Sequence, residues 1–274
     1  MNNNEKEVNQ TAEKKPLGPP KSVFREYFES FVVTLIMAIF GMTFILQAVT
    51  VPTGSMQNTI LIGDYLLVNK FIFAPGGNPL PFLPQRDIQR GDIIVFKFPG
   101  YPESLHKSRL EKEQAGTPYQ INFVKRVIGL PGDKIEVRAN DVYINDRILS
   151  EHRVIGDSKS RDAALTTKEF EPKKPDQNYI VYYSEDAVLH PTEDREYDFA
   201  AAGKPYIVPE NSYFVMGDSR NQSLDSRYWG VVSRDLIIGR AMFVYWSCDR
   251  SASDDGMLGC ITNPRLDRIG KMIK

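Results

Sequence analysis

Three short stretches carry side chains whose types and spacing suit catalysis. In "QAVTVPTGSMQNTI" (47–60), Ser55 stands between glycine and methionine. Its hydroxyl is a nucleophile if a neighbouring base removes its proton. His106, His152 and His190 are the chain's only histidines, scattered through polar segments, and they read as solvated surface residues. A Ser-His-Asp arrangement therefore has no good imidazole candidate. A lysine can take that role when burial in an apolar setting lowers its pKa toward neutrality, because desolvation disfavours the ammonium.

Lys125, in "INFVKRVIGLPGD" (121–133), meets that requirement: apolar residues flank a Lys-Arg pair in a strand-like run that breaks at Pro131 and Gly132. Period-two alternation sends Lys125 and Arg126 to opposite faces, so one of the two charges is expected to face the interior or a cleft. The alternative is an edge strand whose lysine reaches solvent. The third stretch is "VMGDSRNQSLDSRYWGVV" (215–232), where a strand runs into a turn dense in Asp, Ser, Asn and Arg. Core packing does not call for such a concentration of donors and acceptors. Taken alone, it also reads as a solvated hairpin loop.

These residues need elements to position them. From Phe31 to Val51 the run "FVVTLIMAIFGMTFILQAVTV" is uncharged, about the ~20 residues a helix needs to cross the hydrocarbon core. It begins only after thirty residues, unlike the short apolar region of a cleaved leader. Lys6, Lys14, Lys15, Lys21 and Arg25 precede it and only Lys70 follows at comparable distance. The positive-inside rule then predicts a cytoplasmic N-terminus and an outside location for everything beyond the span. After Val51 come short β-branched or aromatic runs, such as 64–73, 92–98, 122–130, 134–146, 178–183, 213–218 and 237–246, separated by Gly, Pro, Asn and Asp clusters. That pattern predicts a mainly β chain. Segments 75–87, 99–120 and 151–175 lack periodicity and read as loops or insertions.

The expected organisation is a disordered cytoplasmic tail (1–22), a transmembrane anchor (23–51), a first part of a β core (52–146), an inserted or accessory β region (147–208), a second part of the core (209–247) and a tail (248–274). With 34 basic and 35 acidic residues interspersed and a net charge of −1, the chain lacks the basic stripe of a nucleic-acid binder, and no nucleic-acid partner is expected. Cys248 and Cys260 enclose a polar, Gly-containing loop outside the expected membrane span, and a disulfide is the working reading. Separate thiols are the alternative. A metal pair fits less well, since no His lies within ligand spacing, and neither metal nor cofactor is expected.

Together, "PTGSM" directly after an apolar span, "GDYLLVNK", "FVKRVIGLPGD" and "MGDSRNQSLDSRYWG", in this order, resemble the motif boxes of bacterial type I signal peptidase. The resemblance covers the anchor and most of the catalytic core, but not the first twenty residues, most of 147–208 or the C-terminal tail. It implies a membrane-anchored catalytic domain of antiparallel sheets that removes signal peptides from exported preproteins after small residues. The partners it implies are those signal peptides and the lipid bilayer, and the place is the inner membrane with the catalytic domain on its outer side.

It makes Ser55 the nucleophile and Lys125 the general base of a Ser-Lys dyad. The Ser55 N–H and the Thr53 hydroxyl would form the oxyanion hole. Ser223 would orient the lysine, Asp225 and Arg227 would form a supporting ion pair, and Gly217 and Asp218 would shape the turn. Val51, Pro52, Met56, Ile60, Phe123 and Val124 would wall the shallow pockets for small side chains. The sequence departs from the family pattern at Asn58, where a proline is common, and at Ser219, Asn221 and Gln222. Four residues from Val51 to Ser55 would keep the hydroxyl within roughly 13 Å of the end of the run in extended chain, near the depth where a signal peptide's cleavage site emerges.

Two other readings compete. A non-enzymatic, membrane-anchored β-domain assembly protein would not need Ser55 or Lys125, and a self-cleaving Ser-Lys protease of the repressor type would not need the apolar run. "SLHK" (104–107) matches an S-x-x-K string but lies in a polar loop with no K-T-G partner.

Overall fold

The computed structural model describes residues 22–74, 81–105, 108, 111–113, 116–157, 164–189, 197–249 and 260–274. The tail expected to be disordered lies outside these residues apart from Ser22. The chain divides into two units, one ending at Gly41 and the other beginning at Met42. In the first, helix α1 (Val23–Phe40) is capped by Ser22, whose side chain accepts from Arg25 N, and none of its residues is buried. With the π-helical turn Gly41–Ile45 it makes an apolar segment of 23 residues, roughly 34 Å at helical rise and long enough to cross a bilayer.

The apolar run does not stay helical to Val51. Leu46–Thr50 forms strand β1, in register with the next strand from Leu46 opposite Asn69 to Thr50 opposite Tyr65. Apolarity alone does not separate a membrane helix from a buried strand, and the β-branched Val49, Thr50 and Val51 favour the strand.

The following strands are β2 (Asp64–Asn69), β3 (Ile93–Lys97), β4 (Asn122–Gly129), β5 (Lys134–Arg138), β6 (Asp141–Ile144) and β7 (Arg147–Ile148). Then come β8 (His152–Asp157), β9 (Thr166–Glu169), β10 (Ile180–Tyr183) and β11 (Tyr206–Ile207). The last are β12 (Ser212–Met216), β13 (Val232–Ser233) and β14 (Ile237–Ser247). Seven form one sheet in the order β1-β2-β14-β3-β4-β12-β13, and its neighbours all run antiparallel. A second sheet has the order β11-β5-β6-β7 and a third β10-β8-β9. Within the third, β8 and β10 run parallel. The segment 151–175, read as loop, thus holds two strands: β8, where Val154 and Ile155 on opposite faces are both buried, and the exposed β9 paired to it.

The main sheet is covered on both faces. Alternate residues of β3 feed different clusters: Ile93 and Val95 pack with Val49, Leu66, Val68 and Val124, whereas Ile94 and Phe96 pack with Phe98, Val127 and Trp229. A strand inside such a sheet has no solvent side, so β4 is buried almost throughout. The C-terminal segment belongs to this core as well. Ile273 is buried in the first cluster, and the Val244 and Ile273 amides donate to the Lys271 and Met242 carbonyls.

Candidate active site

The segment after β1 turns back on itself. Val51 N donates to Asp64 O, Gly54–Met56 forms a single 3-10 turn closed by Gln57 N to Gly54 O, and Ile60 N donates to Met56 O. The carboxylate of Asp64 closes the loop from below. It accepts from Leu61 N at 2.8 Å, Ser247 Oγ at 2.7 Å and the Arg268 guanidinium at 2.5 Å. This fixes Ser55, 7% exposed, at the turn.

Lys125 comes from the middle of β4, opposite Ile94 of β3. It is 3% exposed, and its Nζ lies 2.5 Å from Ser55 Oγ and 5.2 Å from the centre of the Phe123 ring. Burial lowers its pKa to about 8, opposed by the negative charge of Asp225 and aided by Arg227. Arg126, on the opposite face, is buried too, at 2%. The expectation that one of the pair faces inward is corrected to both, because the sheet is covered on both sides. Arg126 Nε and Nη2 donate to the two carboxylate oxygens of Asp218 at 2.8 and 2.7 Å, which answers the desolvation of the guanidinium.

The 217–230 segment packs around this pair. Thr59 Oγ1 donates to Asp218 Oδ2 at 2.6 Å and Ser219 N to the Ser55 carbonyl at 3.1 Å, so the nucleophile loop and this turn are bonded directly. Asp225 holds Arg227 at 2.8 Å through both carboxylate oxygens and also accepts from Gly217 N at 3.0 Å. Despite burial, Arg227 and these hydrogen bonds keep the Asp225 carboxyl below its ordinary pKa. Ser223 does not hydrogen-bond Lys125: its Oγ is buried against Gly217, on the side of the Asp225 carboxylate.

A cavity of about 440 Å³ opens over Ser55 and Lys125. Of the expected residues, Val51, Pro52, Thr53, Met56, Phe123 and Val124 line it. Ile60 does not; the turn after Met56 directs it into the core, where it is wholly buried. Ile121 and Leu224, to which the sequence reading assigns no role, also line the cavity, as does Gln222, one of the departures from the family pattern. The sequence names Arg126 without its partner and gives no sign of Thr59 or the Asp64–Arg268 pair, and these partners lie 92 to 204 residues apart in the chain. The only local signals were the charge inside an apolar strand and the Gly63-Asp64 turn. His152, expected at the surface, is buried in β8 and does not line this cavity. His106 and His190 lie outside the described residues.

Among the described residues no three His, Cys, Asp or Glu side chains gather as metal ligands. Cys248 and Cys260, both buried, are joined as a disulfide with Cα atoms 5.0 Å apart.

Chemically, a buried amine touching a buried hydroxyl, beside an apolar cavity open to substrate, is an arrangement for acyl transfer. The family model described as signal peptidase, peptidase S26, matches residues 24–246. Signal peptidase I of Buchnera aphidicola (subsp. Acyrthosiphon pisum) is 30% identical, the match covering 92% of this chain and 83% of that protein. Signal peptidase I of Pseudomonas aeruginosa is also 30% identical, with 81% of this chain and 72% of that protein covered. The crystal structure of a signal peptidase I from Enterococcus faecalis is 26% identical, covers 57% of this chain and 97% of its own, and superposes with a TM-score of 0.30.

Proposed function

The chain belongs to the signal peptidase, peptidase S26, family, and from that premise we propose that Ser55 and Lys125 are the nucleophile and general base with which it cleaves. It is a membrane-anchored serine endopeptidase that removes signal peptides from preproteins. The observation that carries the residue assignment is the 2.5 Å contact between Lys125 Nζ and Ser55 Oγ in a buried setting.

In the neutral form, the Lys125 amine accepts the Ser55 hydroxyl proton as Oγ attacks the scissile carbonyl carbon. The oxyanion that forms takes hydrogen bonds from the Ser55 N–H and the Thr53 hydroxyl. Thr53 makes no side-chain hydrogen bond to the turn it precedes, which leaves its hydroxyl for this use. Collapse of the tetrahedral species breaks the C–N bond, and the Lys125 ammonium gives its proton to the leaving amine. Water, deprotonated by the same lysine, then hydrolyses the acyl-enzyme and releases the signal peptide. Asp225 and Arg227 support the turn beneath. The apolar walls formed by Val51, Phe123 and Val124 suit small side chains before the cut.

The basic residues ahead of α1 favour a cytoplasmic N-terminus and a catalytic unit on the outer face of the bacterial cytoplasmic membrane. Protease added to spheroplasts should digest residues beyond Val51; their protection would reverse the orientation. The activity is tested by incubating detergent-solubilised protein with a preprotein and sequencing the new N-terminus. A cut after a small residue at the end of the signal peptide is expected. An uncut preprotein, or one cut only elsewhere, would contradict the reading.

A further inference from the structure

The sheet of β8, β9 and β10 carries no motif, yet it grips the loop that bears Ser55 and the 217–223 turn bonded to it. Asn58, three residues after Ser55, adopts a left-handed backbone with φ 70°. Its carboxamide pairs with both backbone groups of one residue: Leu165 N donates to Asn58 Oδ1 at 2.7 Å, and Asn58 Nδ2 donates to Leu165 O at 3.3 Å. Leu165 is itself anchored. It packs with Val154 and Tyr182 and sits over Gly156, where a Cβ would stand 2.7 Å from its Cδ1.

The second grip is on the 217–223 turn. Glu151 and Arg220, each 1% exposed, form a bidentate pair at 2.5 and 2.6 Å. Arg220 Nε also donates to the Gly217 carbonyl at 3.2 Å, and the Arg220 carbonyl accepts from Arg227 Nη2 at 2.7 Å. Tyr182 N donates to Asp218 O at 2.8 Å, and Ser184 N to Asn221 Oδ1 at 3.2 Å. Asn58 and Asn221 are two of the positions where the sequence leaves the family pattern, and each spends its side chain on this sheet.

We propose that the β8–β10 sheet is a positioning device for the Ser55–Lys125 pair, acting through Asn58 on the nucleophile loop and through Glu151 on the 217–223 turn. The proposal rests on the dyad assigned above. Ser55 sits in a single turn of 3-10 helix rather than in a strand, so its Oγ is only as fixed as the loop around it. The Ser219 N–H to Ser55 carbonyl bond ties the two loops to each other, and the sheet holds both. Neither Asn58 nor Glu151 is among the residues lining the cavity, so their loss should affect the geometry of the reacting atoms more than substrate affinity.

The test measures kcat and KM of the full chain in detergent on a preprotein-derived peptide for Asn58→Gly, Asn58→Asp, Glu151→Gln and Ser55→Ala, with thermal melts of each. Asn58→Gly keeps the backbone conformation accessible and removes both bonds, whereas Asn58→Asp keeps the acceptor of the shorter one. Asn58→Gly should lower kcat about 10- to 100-fold, with KM within about twofold and the protein folded at the assay temperature. Asn58→Asp should recover most of that rate, and Glu151→Gln should lower kcat in the same manner. Wild-type kcat in Asn58→Gly beside an inactive Ser55→Ala would overturn the positioning role and leave the dyad standing. A fall in kcat that only tracks the folded fraction would overturn it as well. If Ser55→Ala still cleaves, the dyad fails and the proposal with it. Should Glu151→Gln not fold, the two Asn58 variants decide.

Discussion

Lys125 Nζ stands 2.5 Å from Ser55 Oγ across 70 residues of chain, and both side chains are buried. Burial pushes the lysine down to about 8, so the amine is mostly charged at neutral pH and becomes a base as pH rises. The rate kcat should therefore climb with pH through about 8 and level off above it. The linkage has its own sign. The folded pKa is below the unfolded one, so this group opposes folding below pH 8 and the opposition fades as pH rises toward 10.5. Melting of Lys125→Met against wild type should show a relative gain for the variant at pH 7 that shrinks over that window. A kcat that is flat from pH 6 to 10 would contradict the assignment of the base.

Thr53→Val keeps the shape of the side chain and removes its hydroxyl. Because the oxyanion exists only near the transition state, kcat should fall by about 10²-fold or more while KM changes little. Steady-state kinetics on a signal-peptide substrate measure this, and a rise in KM with unchanged kcat would place Thr53 in substrate binding alone.

Gly217 lies where any side chain would intrude. A Cβ there would collide with Ser223 Oγ and stand 2.5 Å from the Ser55 carbonyl oxygen. Gly217→Ala should therefore lower kcat by at least tenfold and destabilise by about 1–3 kcal/mol. Wild-type kinetics in this variant would mean that the turn has more room than the geometry allows.

Part of this site is legible because its signals are local: the Ser55 turn after an apolar run and the Lys-Arg pair inside an apolar strand each lie within a few residues, whereas the Asp225–Arg227 pair follows only from the family resemblance. What pairs across the fold is not legible. Nothing near Arg126 points to Asp218, nothing near Glu151 points to Arg220, and the burial of His152 depends on β10 lying parallel to β8. The end of the helical part of the apolar run is hidden for a related reason. Leu46–Thr50 is uncharged like the helix before it, and its pairing with β2 adds to the β-branched residues in making it a strand. Ile60 followed the motif rather than the turn, whose Ile60 N to Met56 O bond turns it inward.

Cys248 and Cys260 lie outside the cavity lining, where Cys248 N donates to Gly63 O and Cys260 Sγ lies 3.7 Å from the Tyr65 hydroxyl. Replacing both with serine should cost stability, about 3 kcal/mol in the chain-entropy account, with kcat close to wild type at a temperature where the variant is folded. Non-reducing peptide mapping should find the two cysteine peptides joined. Complete alkylation of the untreated protein would rule out the bridge.

The rate of preprotein cleavage by Lys125→Ala, measured on full-length folded protein beside Ser55→Ala and Lys125→Arg, tests the assignment of Lys125 as the base most directly. All three should yield no product cut after the signal peptide's small residue, the arginine variant included because guanidinium stays protonated. Cleavage by folded Lys125→Ala at a rate near wild type would show that another group takes the Ser55 proton.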